Sequence, residues 1–175
     1  MAIIAKKTKS DFEPAPEGLH SAVCCDVVDK GLVKDRFGES YKVQIRWELE
    51  ELDSRSKPFM AVNTYTLSLH EKSRLRPMLE AWRGKKFSED ELDGFDLEKL
   101  IGANCQVQII HNPKQDGSIG AFVQAVVPVA RGGTRLRVSE DYVRYQDRPE
   151  NKHAQTATAD EFNQAPQIDD SDVPF

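Results

Sequence analysis

The sequence predicts a mainly β protein, a five-stranded barrel with a helix between its third and fourth strands, followed by an acidic tail. Three observations carry this reading. Tyr41, Val43, Ile45, Trp47 and Leu49 alternate with Lys42, Gln44, Arg46, Glu48 and Glu50, the period of two of a half-buried strand. Leu75, Met78, Leu79 and Trp82 recur at i, i+3, i+4 and i+7, which places them on one helix face. After Arg148 the periodicity vanishes into Ala, Gln, Thr, Asn and Pro, a composition that cannot bury enough apolar surface to fold.

The elements follow in order. Residues 1–17, with Lys6, Lys7 and Lys9 and then Pro14 and Pro16, read as a flexible arm. His20 to Val28 is rich in small and β-branched residues and gives the first strand, with a turn at Asp35 to Gly38. The alternating segment is the second strand. Ser54 to Pro58 is a polar connection, and Phe59 to Leu69 a third strand. Ser73 is placed to cap the helix, Pro77 sits early in it, and Gly84 closes it. Ser88-Glu-Asp-Glu91 has the spacing of a capping box for a further short helical turn. Another turn runs from Leu97 to Ile101 and stops at Gly102. Ala103 to His111 is the fourth strand, Asn112 to Gly120 a hairpin connection around Asp116-Gly117, and Ile119 to Val129 the fifth strand. Arg131 to Val138 is compatible with a short added ribbon. The order β-β-β-α-β-β is that of the OB-fold, a partly open Greek-key barrel, although other folds share it. The expected domains are therefore an arm over 1–17, an OB-fold over 18–139 and a disordered acidic tail over 140–175.

With 175 residues, 39% hydrophobic and 30% charged, the chain suits one domain and a tail. Its net charge of −5 is unevenly spread. Residues 140–175 hold nine acids against three bases, which leaves 1–139 at +1. Six further acids lie between Glu89 and Glu98, so the rest of the body is +7. A basic body with an acidic tail permits nucleic-acid binding. There is no apolar run near the ~20 residues of a membrane span, and the first residues lack the core of a secretion signal. Three cysteines, Cys24, Cys25 and Cys105, make no disulfide framework. A cytoplasmic protein, in a bacterial host cell, is the expectation.

The final residues, Asp169-Asp170-Ser171-Asp172-Val173-Pro174-Phe175, set three carboxylates before an apolar tip. An apolar pocket rimmed by Arg or Lys would grip the Phe175 ring and its α-carboxylate, with Asp169, Asp170 and Asp172 steering the approach and Val173 and Pro174 shaping the tip. This ending resembles the C-terminal tip of bacterial single-stranded DNA-binding proteins, which read Asp-Asp-Asp-Ile-Pro-Phe; here Ser171 interrupts the acids and Val173 replaces Ile. The body, in Ser68-Leu-His-Glu-Lys-Ser-Arg-Leu-Arg-Pro-Met-Leu-Glu-Ala-Trp-Arg-Gly-Lys-Lys-Phe87 and Leu100-Ile-Gly-Ala-Asn-Cys-Gln-Val-Gln-Ile-Ile-His-Asn112, is similar to a group of bacteriophage replication and recombination proteins. These resemblances imply an OB-type binder that coats single strands in replication, recombination and repair and recruits enzymes through its tip. Its partners would be single-stranded DNA and those enzymes, with no membrane and no cofactor. Self-association into a homo-oligomer is compatible with the sequence.

Single-strand binding uses rings as stacking platforms and cations along the phosphates. The candidate cations are Lys34 and Arg36 in the first connection, Lys42 and Arg46 on the second strand, Arg55 and Lys57 in the next connection, and Lys114 before the fifth strand. The candidate rings are Phe37, Tyr41, Trp47, Phe59, Tyr65 and Phe122. Tyr41 and Trp47 share parity with Val43, Ile45 and Leu49, so the core competes for them. Phe37 and Phe59 lie near loop ends and are the better stacking candidates. Trp82 reads as a barrel plug, and Arg74, Arg76 and Arg83 as a solvated helix face.

No catalytic or metal site is read from the sequence. Adjacent cysteines on a strand point to opposite faces, and the paired Cys/His spacing of zinc sites is missing. His20, His70, His111 and His153 are scattered, without a nucleophile at motif spacing. Glu48, Glu50 and Glu51 read as the solvent edge of a strand. Two alternatives stay open: a metal-dependent nuclease with dispersed acids, and an adaptor that binds replication proteins through the tip without binding DNA.

Overall fold

The computed structural model describes residues 13–151. Five strands, β1 (Gly18–Asp35), β2 (Gly38–Leu52), β3 (Pro58–Thr66), β4 (Asn104–Pro113) and β5 (Ile119–Val127), form one antiparallel sheet in the order β3-β2-β1-β4-β5. Between β3 and β4 lie helix α1 (Leu75–Arg83), the short α2 (Glu89–Asp93) and a 3-10 turn over Leu97–Leu100. The mainly β architecture and the helix after the third strand are as the periodicity predicts. The edge strands β3 and β5 approach within 8 Å between Cα atoms.

β1 is far longer than His20 to Val28 because it serves two neighbours. Gly18–Val23 pairs with β4, while Ala22–Asp35 pairs with β2. Two register shifts bend it, between Cys24 and Asp26 and between Asp29 and Gly31. The first changes which parity faces the core: Ala22 and Cys24 point inward before it, Val27 after it. At the second, Gly31 adopts φ 66° and its N–H donates to Asp29 Oδ1 at 2.8 Å, a backbone shape that suits glycine.

The core joins these residues to Val43, Ile45, Trp47 and Leu49 of β2, Phe59, Ala61 and Tyr65 of β3, and Cys105, Val107, Ile109 and Val126 from β4 and β5. α1 contributes Leu75, Leu79 and Trp82, as its apolar stripe predicts. The Trp82 ring lies 6.0 Å from that of Trp47, and its Nε1–H donates to Asn104 O at 3.0 Å. Gly84 ends the helix in the left-handed conformation, φ 71°. The N-cap is Arg74, without a side-chain cap; Ser73 donates its hydroxyl to Ser68 O at 2.6 Å and accepts only a long bond from Arg76 N. Ser88 and Glu91 form the expected capping box at α2. Arg83 grips Glu91 through two bonds of 2.7 and 3.1 Å and stacks over Phe87 and Phe95.

Residues 13–17, the described part of the expected arm, are fastened to the sheet. His111 Nε2–H donates to Ala15 O at 2.6 Å, His20 Nε2 meets Pro16 O at 2.7 Å, and Ala15 is buried. Beyond β5, residues 131–139 form no strand, so the ribbon compatible with Arg131 to Val138 is not made. Leu136 is held instead by the Asn104 side chain, which donates to Leu136 O (3.0 Å) and accepts from Leu136 N (2.6 Å). Ser139 N and Oγ both donate to Glu48 Oε2 at 2.9 Å. Glu48 is therefore only 5% exposed, and the reading of it as solvent edge is corrected. Residues 140–151 contain two 3-10 turns, with Arg148 5.9 Å from the rings of both Tyr142 and Tyr145. The tip residues Asp169, Asp170, Asp172, Val173, Pro174 and Phe175 lie outside the described residues.

Candidate nucleic-acid interface

β4 pairs with β1 only as far as Val23, and β3 reaches β2 only to Lys42. From there Gly31–Asp35 and Gly38–Lys42 run on as a two-stranded ribbon, held at its base by Lys42 opposite Thr66 and by Leu67 N donating to Tyr41 O at 2.8 Å, and paired only with each other over Val33–Asp35 and Gly38–Ser40. Arg36 and Phe37 are its two-residue turn. Asp35 builds that turn: its carboxylate accepts from Phe37 N at 2.8 Å and faces Lys42 Nζ at 3.5 Å. The Phe37 amide first, and the Lys42 ammonium after it, hold the Asp35 carboxyl below its usual range. Phe37 is 84% exposed, with the Arg36 guanidinium 4.7 Å from its ring centroid. Leu32 and Tyr41, directly opposite across the ribbon, are both more than half exposed. Lys34 is exposed beside them.

Below the ribbon, the outer face of β2 and β3 carries a ladder of polar side chains. Lys42 Nζ donates to Thr66 Oγ1 (3.0 Å), Gln44 Nε2 to Thr64 Oγ1 (3.4 Å), and Arg46 Nε to Gln44 Oε1 (2.8 Å). The exposed side chains of Met60 and Val62 lie on the same face.

The β4–β5 hairpin forms a second projection, at the other end of the strands. Asp116 accepts from Ser118 N and Oγ, and Gly117 sits at φ 82°. Phe122, opposite Ile110, is 43% exposed. A Cβ on Gly120 would lie 2.6 Å from Lys114 Cε and 2.8 Å from the Phe122 ring, so the glycine is what lets ring and lysine stem lie across the strand. The β2–β3 connection is built on Asp53, which accepts from Arg55 N and Lys57 N and pairs with Arg55 Nη2 at 3.2 Å. The amide of Lys57, then that of Arg55, lowers the Asp53 carboxyl.

The structure thus divides the sequence candidates among four places. Lys34, Arg36, Phe37, Tyr41 and Lys42 share the ribbon, and Arg46 continues it onto the sheet face. Lys114 and Phe122 share the second hairpin. Arg55 and Lys57 stand in the β2–β3 connection at the end of the sheet away from the ribbon. Trp47, Phe59 and Tyr65 are buried in the core and present no ring to a base, which corrects their place among the stacking candidates. Phe59 follows Pro58 directly into β3, and the strand's odd residues face inward from its first turn of pleat.

Sequence reasoning missed Leu32, whose exposure follows from the ribbon outrunning its neighbours, and the Thr64 and Thr66 hydroxyls that anchor the ladder. The cysteines are free and buried. Burial first, then the neighbouring Cys25 and Cys105 thiols, pushes the Cys24 thiol up; burial pushes Cys105 up to about 12. Among the described residues no three His, Cys, Asp or Glu side chains gather as a metal-binding group, and no helix is long and apolar enough to cross a membrane. No protein-family model matches the chain, and a search of curated proteins finds no match.

Proposed function

We propose that this chain binds single-stranded DNA through an OB-type barrel and recruits replication, recombination or repair enzymes through its acidic tip. The observation that carries the reading is Phe37, a ring left 84% exposed at the end of the ribbon and flanked by Arg36, Lys34 and Lys42. A ring in water at a hairpin tip contributes nothing to the core. With a cation against it and others along the strands, it matches what a stacked base and its phosphates require. Each such stack contributes roughly 1–3 kcal/mol.

Three features support the OB assignment. β1 is shared between β2 and β4, the outer strands β3 and β5 approach each other, and α1 packs its Trp82 against the core between β3 and β4. The Val-Pro-Phe tip behind its aspartates supports the recruiting role by its resemblance to bacterial single-stranded DNA-binding proteins. The activity is binding, not catalysis.

The test is anisotropy titration of labelled oligo-dT and of a duplex of equal length at two salt concentrations. Single strands should bind more tightly, with affinity falling as salt rises at about 0.7 log units per phosphate neutralised. Equal affinity for both, or none for oligo-dT at low salt, refutes the proposal. Removal of residues 169–175 should leave oligo-dT binding intact and abolish capture of replication enzymes.

A further inference from the structure

Residues 131–139 carry Arg131, Arg135 and Arg137 and no acid. All three arginines are exposed, and none makes an ion pair with a described residue. The segment has no β-ladder, yet it is fixed at two points. Asn104 grips Leu136 by donating to its carbonyl and accepting from its amide, as a neighbouring strand would. Glu48 receives both the amide and the hydroxyl of Ser139.

These two anchors lie on one rung of the sheet. Asn104 of β4 and Glu48 of β2 are both register partners of Val23 in β1. Two strand spacings make roughly 10 Å, and three extended residues from Leu136 to Ser139 span roughly 10 Å. The segment therefore crosses β4, β1 and β2 at right angles to the strands. Val23 and Cys25, on the face away from the main core, are buried at 0% and 1% exposure. In the extended run Leu136 and Val138 are half-buried, while Arg135 and Arg137 stand out in solvent.

The placement gives the arginines a role. Glu48 has the same parity as Arg46, Gln44 and Lys42, whose side chains interlock on the outer face of β2 and β3. The crossing segment borders that face, with Arg46 only two residues, roughly 7 Å, along β2 from its anchor.

We infer that residues 131–139 are an arginine strap that contacts the phosphates of a nucleic-acid strand lying over β2 and β3, with Arg131, Arg135 and Arg137 as the contacts and Asn104 as a positioning residue. This rests on the single-strand reading, and extends the contact surface to a segment outside both hairpins. Arginine suits the role because its guanidinium stays charged and offers paired donors to phosphate oxygens.

The experiment is oligo-dT titration across a salt series with the full chain, its Arg131→Ala/Arg135→Ala/Arg137→Ala variant, and a charge-matched Lys85→Ala/Lys86→Ala/Lys99→Ala control. The strap variant should lower the log–log salt slope by about 2, three phosphates at about 0.7 each, with an unchanged melting temperature. The control should keep the slope of the unmodified chain. Asn104→Ala should weaken binding in the parent chain but add nothing in the strap variant, whose arginines are gone. A strap variant with the parent's slope, a control that loses as much, or an Asn104→Ala effect independent of the arginines overturns the inference. Failure of the unmodified chain to bind oligo-dT refutes the single-strand reading itself, so the two failures are distinct.

Discussion

Trp47 and Trp82 pack with ring centroids 6.0 Å apart at 56°, and their indole N–H groups differ in fate: that of Trp82 donates to Asn104 O, while that of Trp47 is buried without a partner among the described residues. A buried N–H with no acceptor costs about 1–3 kcal/mol. Replacing each by Phe removes a similar volume but unequal hydrogen bonding. Trp82→Phe strands the Asn104 carbonyl as well as opening space, whereas Trp47→Phe relieves an existing penalty. In chemical denaturation Trp82→Phe should be the more destabilising, by about 1 kcal/mol or more. An equal or reversed order would show that the Trp47 indole finds an acceptor in solution.

Phe37 and Phe59 separate binding from stability. Phe37→Ala should reduce oligo-dT affinity by roughly 1–3 kcal/mol and leave the melting temperature unchanged. Phe59→Ala should cost about 3–5 kcal/mol of stability through the cavity it leaves. If instead Phe37→Ala leaves affinity untouched, the ribbon is a bystander and the stacking platform lies elsewhere.

These two phenylalanines also show how far the sequence could be read. Both stand near loop ends, and nothing in composition distinguishes them. Phe59 goes inward because it starts a strand whose odd residues face the core, and that parity is set by pairing with β2. The sequence leaves Trp47 between core and stacking for the same reason: alternation gives two faces and does not say which is wet. The Ser88–Glu91 capping box, the Gly84 stop and the apolar stripe of α1 are legible, because each rests on neighbours within a few residues. The bulges of β1 and the burial of Glu48 are not, because they depend on partners 11 to 91 positions away.

Glu91 predicts the acid response. The Arg83 guanidinium first, and the Ser88 amide after it, hold its carboxyl down at about 2, from an ordinary 4.5. A carboxyl depressed in the folded state adds stability above its unfolded value and loses it as pH falls through the folded one. The Arg83–Glu91 contribution should therefore be complete above about pH 4.5 and fade toward pH 2. Glu91→Gln should lower the melting temperature at pH 7 and have little effect at pH 2. The same loss at both pH values would show that packing, not charge, is responsible.

Gly120 offers a test of the second hairpin. Its φ is ordinary, so alanine fits the backbone, but the added methyl collides with Lys114 and the Phe122 ring. Gly120→Ala should leave the fold intact, shift the Phe122 ring resonances and weaken oligo-dT binding to the level of Phe122→Ala. Unshifted ring resonances would mean that the ring does not rest on Gly120.

The sharing of β1 between two neighbours bears on how the molecule comes apart. Either hairpin, β2–β3 or β4–β5, can fray from its outer edge without disturbing the rung that joins Asn104, Val23 and Glu48. Each amide there bonds to one neighbour, as Cys24 N does to Ala103 O, but parting β1 from either β2 or β4 splits the shared core, so exchange at the rung should require whole-domain unfolding. Ala22, Val23 and Cys24 should be the slowest-exchanging positions in the chain, and their rate should report the free energy of global unfolding, while the Gly31–Lys42 ribbon exchanges orders of magnitude faster.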